Sequence, residues 1–131
     1  MKHNPDIYLL YEYMEKVSFV IRIRVQLDEK VDEKLLNEAA QEAIGRFPYF
    51  SVKIGLDEKQ NYRLDPNDRP IAVLPEGDKR LLLGSEEVNE HLFAITYRDD
   101  TIWFNCSHSI CGGFGILFWI KTTLYQLSGR K

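Results

Sequence analysis

The side chains best suited to chemistry lie in one short stretch, residues 105–114, whose sequence is NCSHSICGGF. An apolar run of Ile102, Trp103 and Phe104 precedes it, as expected for a β-strand that carries His108 to its end. Histidine titrates near neutral pH, so an imidazole at such a position can take and return a proton. The stretch therefore indicates a proton-transfer site with His108 as the candidate catalytic residue.

The side chain of His108 is expected to face the protein interior. In a strand that continues to residue 108, Ile102, Phe104 and Cys106 have the same parity as His108 and share its face. Burial on that face lowers the pKa of an imidazole and keeps it neutral, as a general base requires. A purely structural histidine is the alternative interpretation.

Two glycines, Gly112 and Gly113, stand between the histidine and a following apolar segment. Glycine adopts backbone angles closed to other residues and lets a ligand or a second chain approach closely. We therefore interpret the pair as a substrate-binding loop, with a plain strand-to-helix turn as the alternative. The free N–H groups of a helix that starts near Gly113 favour developing negative charge beside this loop.

Hydrophobic periodicity predicts the elements that position this stretch. In chain order they are a strand at 17–27, a helix at 32–47, a strand at 49–56, short strands at 62–64 and 71–74, a hairpin of 91–97 and 101–107, and a helix at 114–127. This order predicts an α/β fold, a two-layer sandwich in which helices pack on a mixed β-sheet.

Composition narrows the function classes. The 131 residues form a single domain, 1–131, and the net charge of −3 gives no basis for nucleic-acid binding. No run is long enough for a membrane span. The two cysteines, Cys106 and Cys111, are too few for a disulfide framework, so we expect free thiols and a cytoplasmic location.

The segment from Ser107 to Gly115 (SHSICGGFG) resembles the His-x-x-x-Asp-Gly motif of the chloramphenicol acetyltransferase-like superfamily of CoA-dependent acyltransferases. That superfamily includes alcohol acetyltransferases and peptide-synthetase condensation domains. The order of elements from about Tyr8 to Leu127 is similar to the N-terminal half of its two-domain members. The resemblance implies a larger two-domain protein, an idea that the very apolar last helix also favours.

By this resemblance, His108 is the general base that activates a small alcohol or amine, and the acyl donor is a coenzyme A thioester. No bound cofactor or metal is implied. The chain departs from the motif at Gly112, where the family carries an aspartate that pairs with an arginine to fix the histidine loop. Loss of that anchor favours a different class of function, a non-catalytic half-domain that serves binding or assembly.

The missing half of the fold implies association, either with a C-terminal half or between copies of the chain. Other interpretations of the same residues carry less weight. A Cys106–His108 nucleophilic pair and a zinc site of Cys106, His108 and Cys111 both have poor spacing. Arg22 and Arg24 indicate a solvated sheet face more than an anion site, and His91 is interpreted as an ordinary strand residue.

Overall fold

The computed structural model describes residues 20–77, 81–107 and 113–130 of the chain. The strands are β1 (Val20–Gln26), β2 (Val52–Leu56), β3 (Tyr62–Pro66), β4 (Val73–Pro75), β5 (Phe93–Arg98) and β6 (Thr101–Ser107), and the helices are α1 (Glu33–Ile44) and α2 (Gly113–Ser128). One sheet has the order β1-β6-β5-β4, and β2 and β3 form a separate pair. The parallel β4–β5 pair makes the larger sheet mixed, so the predicted α/β fold is confirmed.

The predicted alternation of the first strand is confirmed over the described part, β1. Ile21, Ile23 and Val25 pack against the main core, while Arg22 and Arg24 are exposed. A strand with one apolar face gains most when that face covers a core. β1 therefore pairs antiparallel with β6, and its register places Ile23 opposite Phe104.

Helix α1 begins where the sequence predicts and ends earlier. The carboxylate of Asp32 accepts a hydrogen bond from the backbone N–H of Leu35 at 3.1 Å, the contact expected of an N-cap. The helix ends at Ile44, not at Phe47, because Pro48 favours an extended residue before it and starts a short 3₁₀ turn. Phe47 nonetheless packs against the core from outside the helix.

The strand predicted at 49–56 is wrong at its beginning. Pro48, Tyr49 and Phe50 form the 3₁₀ turn, and β2 begins only at Val52. Phe50 is buried because its ring packs between those of Phe47 and Phe93, not because it alternates in a strand.

Both helices pack on the same face of the larger sheet. Leu36 of α1 and Trp119 of α2 are fully buried there with Phe93 and Phe104. A Cβ atom on Gly115 would stand only 3.0 Å from the Phe50 ring. Because glycine has no Cβ atom, the first turn of α2 can lie close to the 3₁₀ turn that contains Phe50. The packing of the helix layer on the larger sheet thus determines where α2 begins relative to β6.

Candidate functional site

The strand and the helix that the sequence assigned to the site are present. β6 ends at Ser107, and α2 begins at Gly113. His108 and Gly112 lie outside the described residues, so their roles as general base and substrate-binding loop stay predictions. Gly113 is placed as the first residue of α2. The described residues therefore define the two ends of the candidate site.

The expected orientation of β6 is confirmed up to its last core residue. Ile102, Phe104 and Cys106 are fully buried in the core beneath the helices. Asn105 and Ser107 are also buried, but their parity places them on the opposite face of the sheet. A strand covered on both faces holds its end in a fixed position, which a catalytic group at that end requires.

The expectation of free thiols is wrong for Cys106, which is disulfide-bonded. Two cysteines are too few for a disulfide framework but enough for a single bond, and Cys111 lies outside the described residues. A sulfur in a disulfide is neither a thiolate nucleophile nor a metal ligand, so the Cys106–His108 pair and the zinc site lose their sulfur donor. The cytoplasmic location, which free thiols had supported, stays a prediction.

A second histidine, His91, lies at the same end of the sheet. The backbone N–H of Ser107 donates to the carbonyl of Leu92 at 2.8 Å, which brings the residues before β5 beside the end of β6. His91 precedes the strand and is fully buried. Its ring packs edge-on against Phe93 with centroids 5.4 Å apart. This burial could not be predicted from the local pattern, because Glu90 and Asn89 beside it are polar.

The neutral form of His91 fits its surroundings. Its Nε2 lies 2.7 Å from the carbonyl oxygen of Arg69, so Nε2 carries the proton and donates it, while Nδ1 has no hydrogen-bond partner among the described residues. Burial lowers the pKa of His91, more than the nearby carbonyls of Arg69 and Pro70 and the carboxylate of Glu90 raise it. This residue therefore holds the loop before β5 rather than exchanging protons with a substrate.

The burial of His91 predicts acid sensitivity. Its folded-state pKa lies below the ordinary value of 6.5, so the unfolded chain binds more protons in the window just below pH 6.5. We expect the free energy of unfolding to fall as pH falls through this window. Urea denaturation of wild type and His91→Gln at several pH values measures the slope. An equally steep slope in His91→Gln between pH values of about 6.5 and 5.5 contradicts the assignment.

A polar network covers part of the sheet face opposite the helices. Asn105 donates through Nδ2 to Thr96 Oγ1 at 3.3 Å, and Thr96 donates to Glu76 Oε1 at 2.6 Å. Glu76 also pairs with Arg22 at 2.8 Å, and the Arg22 guanidinium lies 5.8 Å from the centre of the Trp103 ring. Arg22 is thus bound to a carboxylate of its own chain on the exposed side of the sheet, which favours the sheet-face interpretation of this arginine over an anion site.

No group of three or more histidine, cysteine or acidic side chains suited to holding a metal occurs in residues 20–77, 81–107 and 113–130. Over the same ranges, neither helix is long and apolar enough to cross a bilayer.

No protein-family model and no curated protein sequence matches this chain. Solved structures do match it. Polyketide synthase associated protein 5 from Mycobacterium tuberculosis has a TM-score of 0.66 at 14% identity, over 91% of this chain and 31% of that one. The starter condensation domain of the rhizomide synthetase RzmA has a TM-score of 0.63 at 11% identity, over 96% of this chain and 36% of that one.

A third match is the SgcC5 protein from Streptomyces globisporus, with a TM-score of 0.58 at 15% identity over 86% of this chain and 30% of that one. The chain thus spans about a third of the length of each of these structures. At such low identities the likeness concerns the fold alone. The chain therefore has the α/β fold of part of a condensation-domain-like structure, which supports the resemblance seen in the sequence at the level of architecture.

Proposed function

We propose that this chain is the histidine-bearing half of an acyltransferase that moves an acyl group from a coenzyme A-type thioester to a small alcohol or amine. The observation that carries the proposal is the junction of β6 and α2. Ser107 ends a strand buried on both faces, and Gly113 begins a helix on the core side of the sheet. His108 follows that strand directly in a fold shared with a condensation domain.

In the proposed reaction, His108 takes the proton of the acceptor hydroxyl or amine as its oxygen or nitrogen attacks the thioester carbonyl. The C–S bond breaks, the thiolate leaves, and the imidazolium returns the proton to it, so the products are an ester or amide and a free thiol. N–H groups at the start of α2 favour negative charge on the carbonyl oxygen.

A second half, from a longer chain or from a second copy, would cover this site. A covered pocket keeps water from hydrolysing the thioester. The matched structures are about three times as long as this chain, which supports a role for further residues. The cytoplasmic location and an oligomeric state belong to the same proposal.

The test is an acyl-transfer assay of the natural full-length protein beside its His108→Ala variant. Acetyl-CoA and hexanoyl-CoA are offered with an alcohol and an amine, and mass spectrometry detects the ester or amide. Product that forms with wild type and not with His108→Ala supports the proposal. Equal product with both proteins, or none with either, overturns it.

A non-catalytic assembly module is the second candidate, and one residue favours it. Gly112 occupies the position at which the resembled motif has aspartate, and glycine offers no charge to anchor the histidine loop. The name of one matched structure describes a protein associated with a polyketide synthase. A module of this kind would bind a larger enzyme without turning over a thioester itself.

Restoring the aspartate separates the two candidates. If His108 is a loosely held base, Gly112→Asp should raise thioester turnover by up to about 100-fold, because a 1 Å error in position can lower a rate by that factor. Gly112→Asn is the matched control, since it adds the same bulk without the charge. Turnover that stays at background in both variants, with unchanged circular dichroism, favours the assembly module.

A further inference from the structure

The outward side of α2 is unusually apolar for a solvent-facing helix. Leu117, Phe118 and Tyr125 are 48%, 59% and 77% exposed, and the exposed Lys121 lies between them. Because residues three and four apart share one side of a helix, these four form one stripe. We call it the α2 outer face.

The other helix shows what this fold leaves to water. The outward residues of α1 are polar or charged and exposed: Lys34, Asn37, Glu38 and Glu42. Both helices pack on the same sheet, so their outward sides should carry similar residues if both met only solvent. The aromatic rings on the α2 outer face therefore indicate a surface that another molecule covers.

Lys121 gives this surface its charge. Within the described parts of the chain, no carboxylate forms an ion pair with Lys121. The helix itself contains no acidic residue, as its sequence GFGILFWIKTTLYQLS shows. An occupant that buries the aromatic rings must also bury part of the Lys121 ammonium, which is costly unless the occupant supplies a carboxylate.

We propose that the α2 outer face docks an acidic amphipathic helix of a partner protein. The apolar side chains of that helix would cover Phe118 and Tyr125, and one of its carboxylates would pair with Lys121. Helix-in-groove and helix-on-helix recognition commonly combine apolar contacts at three- and four-residue spacing with such charge pairs.

Two other occupants fit the charge less well. A symmetric pair of α2 outer faces from two copies would bring both Lys121 side chains together at the middle of the stripe. An anionic membrane normally attracts a helix through several basic residues, whereas this face has one lysine. A partner helix needs only one carboxylate opposite that lysine.

This inference does not depend on the proposed acyl transfer. The α2 outer face consists of Leu117, Phe118, Lys121 and Tyr125, and none of them is assigned to the reaction. A His108→Ala variant should therefore bind the partner helix as wild type does, so the two proposals fail separately.

The probe is a fluorescein-labelled, end-capped helical peptide of about 18 residues with leucine at three- and four-residue spacing and a glutamate in the middle of that stripe. A second peptide has lysine in place of that glutamate. Fluorescence anisotropy should give a Kd at least about tenfold lower for the glutamate peptide. Phe118→Ser should weaken its binding by about tenfold or more, and Lys121→Glu should reverse the preference between the two peptides.

Two variants serve as matched controls. Leu64→Ser removes an exposed apolar side chain from β3, and Glu42→Lys changes a charge on α1. Neither should alter binding of the glutamate peptide. If wild type and Lys121→Glu bind both peptides equally, or bind neither, the proposal is overturned.

Light scattering and vesicle sedimentation test the other occupants. Concentration-dependent dimerisation that Phe118→Ser abolishes would assign the α2 outer face to a second copy. Sedimentation with vesicles of phosphatidylcholine and phosphatidylglycerol that Phe118→Ser abolishes would assign it to a membrane. Either result overturns the proposal.

Discussion

Replacing His108 with alanine should lower kcat/KM for thioester transfer by about 100- to 10,000-fold, the usual contribution of a positioned general base. The loss should fall on kcat, with KM little changed, because a base acts on the transition state more than on bound substrate. Initial rates of free-thiol release, measured with a chromogenic disulfide reagent over a range of acceptor concentrations, give both constants.

The pH profile distinguishes a base from a residue that only shapes the pocket. Wild-type turnover should fall at acid pH, where a protonated imidazole accepts no proton. The residual turnover of His108→Ala should lack that fall. His91→Gln is the matched control, because it removes a buried histidine near the end of β6 and should keep most of the activity. A His108→Ala variant with the wild-type pH profile contradicts the role of a base.

The secondary structure could be predicted wherever one periodic pattern extended over a whole element. Alternation predicted β1 and β6, helical spacing predicted α1, and a long apolar segment predicted α2. The alternating pattern led to a wrong prediction at Phe50, which has the parity of a buried strand residue but lies in a 3₁₀ turn. Its burial depends on the neighbouring ring of Phe47 and on Phe93 and Gly115, which belong to distant segments of the chain.

The order of the strands in the larger sheet could not be predicted from the sequence. β1 pairs with β6, which follows it by about 80 residues, and β4 pairs parallel to β5 at the edge. Such pairings depend on packing between layers rather than on local propensity. The sequence predicted a mixed sheet with helices, but not which strand would flank the one that leads to His108.

At the candidate site, features that depend on local pattern could be predicted, whereas contacts with distant segments could not. The core-facing parity of Ile102, Phe104 and Cys106 follows from local alternation and is confirmed. The partners of Arg22 and His91 are not local, since Glu76 and the Arg69 carbonyl come from other segments. The role of such a histidine or arginine can be assigned only when its partner from a distant segment is known.

The largest loss of stability is expected at Trp119. Its indole is fully buried and meets the rings of Phe93 and Phe104 edge-on, with centroids 4.8 and 5.2 Å apart. Trp119→Ala removes these contacts and leaves a cavity between α2 and the sheet, so it should lower the free energy of unfolding by about 3–5 kcal/mol. Urea denaturation followed by far-ultraviolet circular dichroism measures the change.

Two variants keep this prediction testable if Trp119→Ala does not fold. Trp119→Phe retains a ring and removes an indole N–H that finds no hydrogen-bond partner in the part of the chain that the structure describes, so it should lose much less stability than the alanine variant. Phe118→Ala, at the neighbouring but exposed position, should change the free energy of unfolding by less than about 1 kcal/mol. Equal losses at Trp119 and Phe118 would mean that α2 does not lie on the sheet through Trp119. The junction of β6 and α2, on which the proposed acyl transfer depends, would then lack its main support.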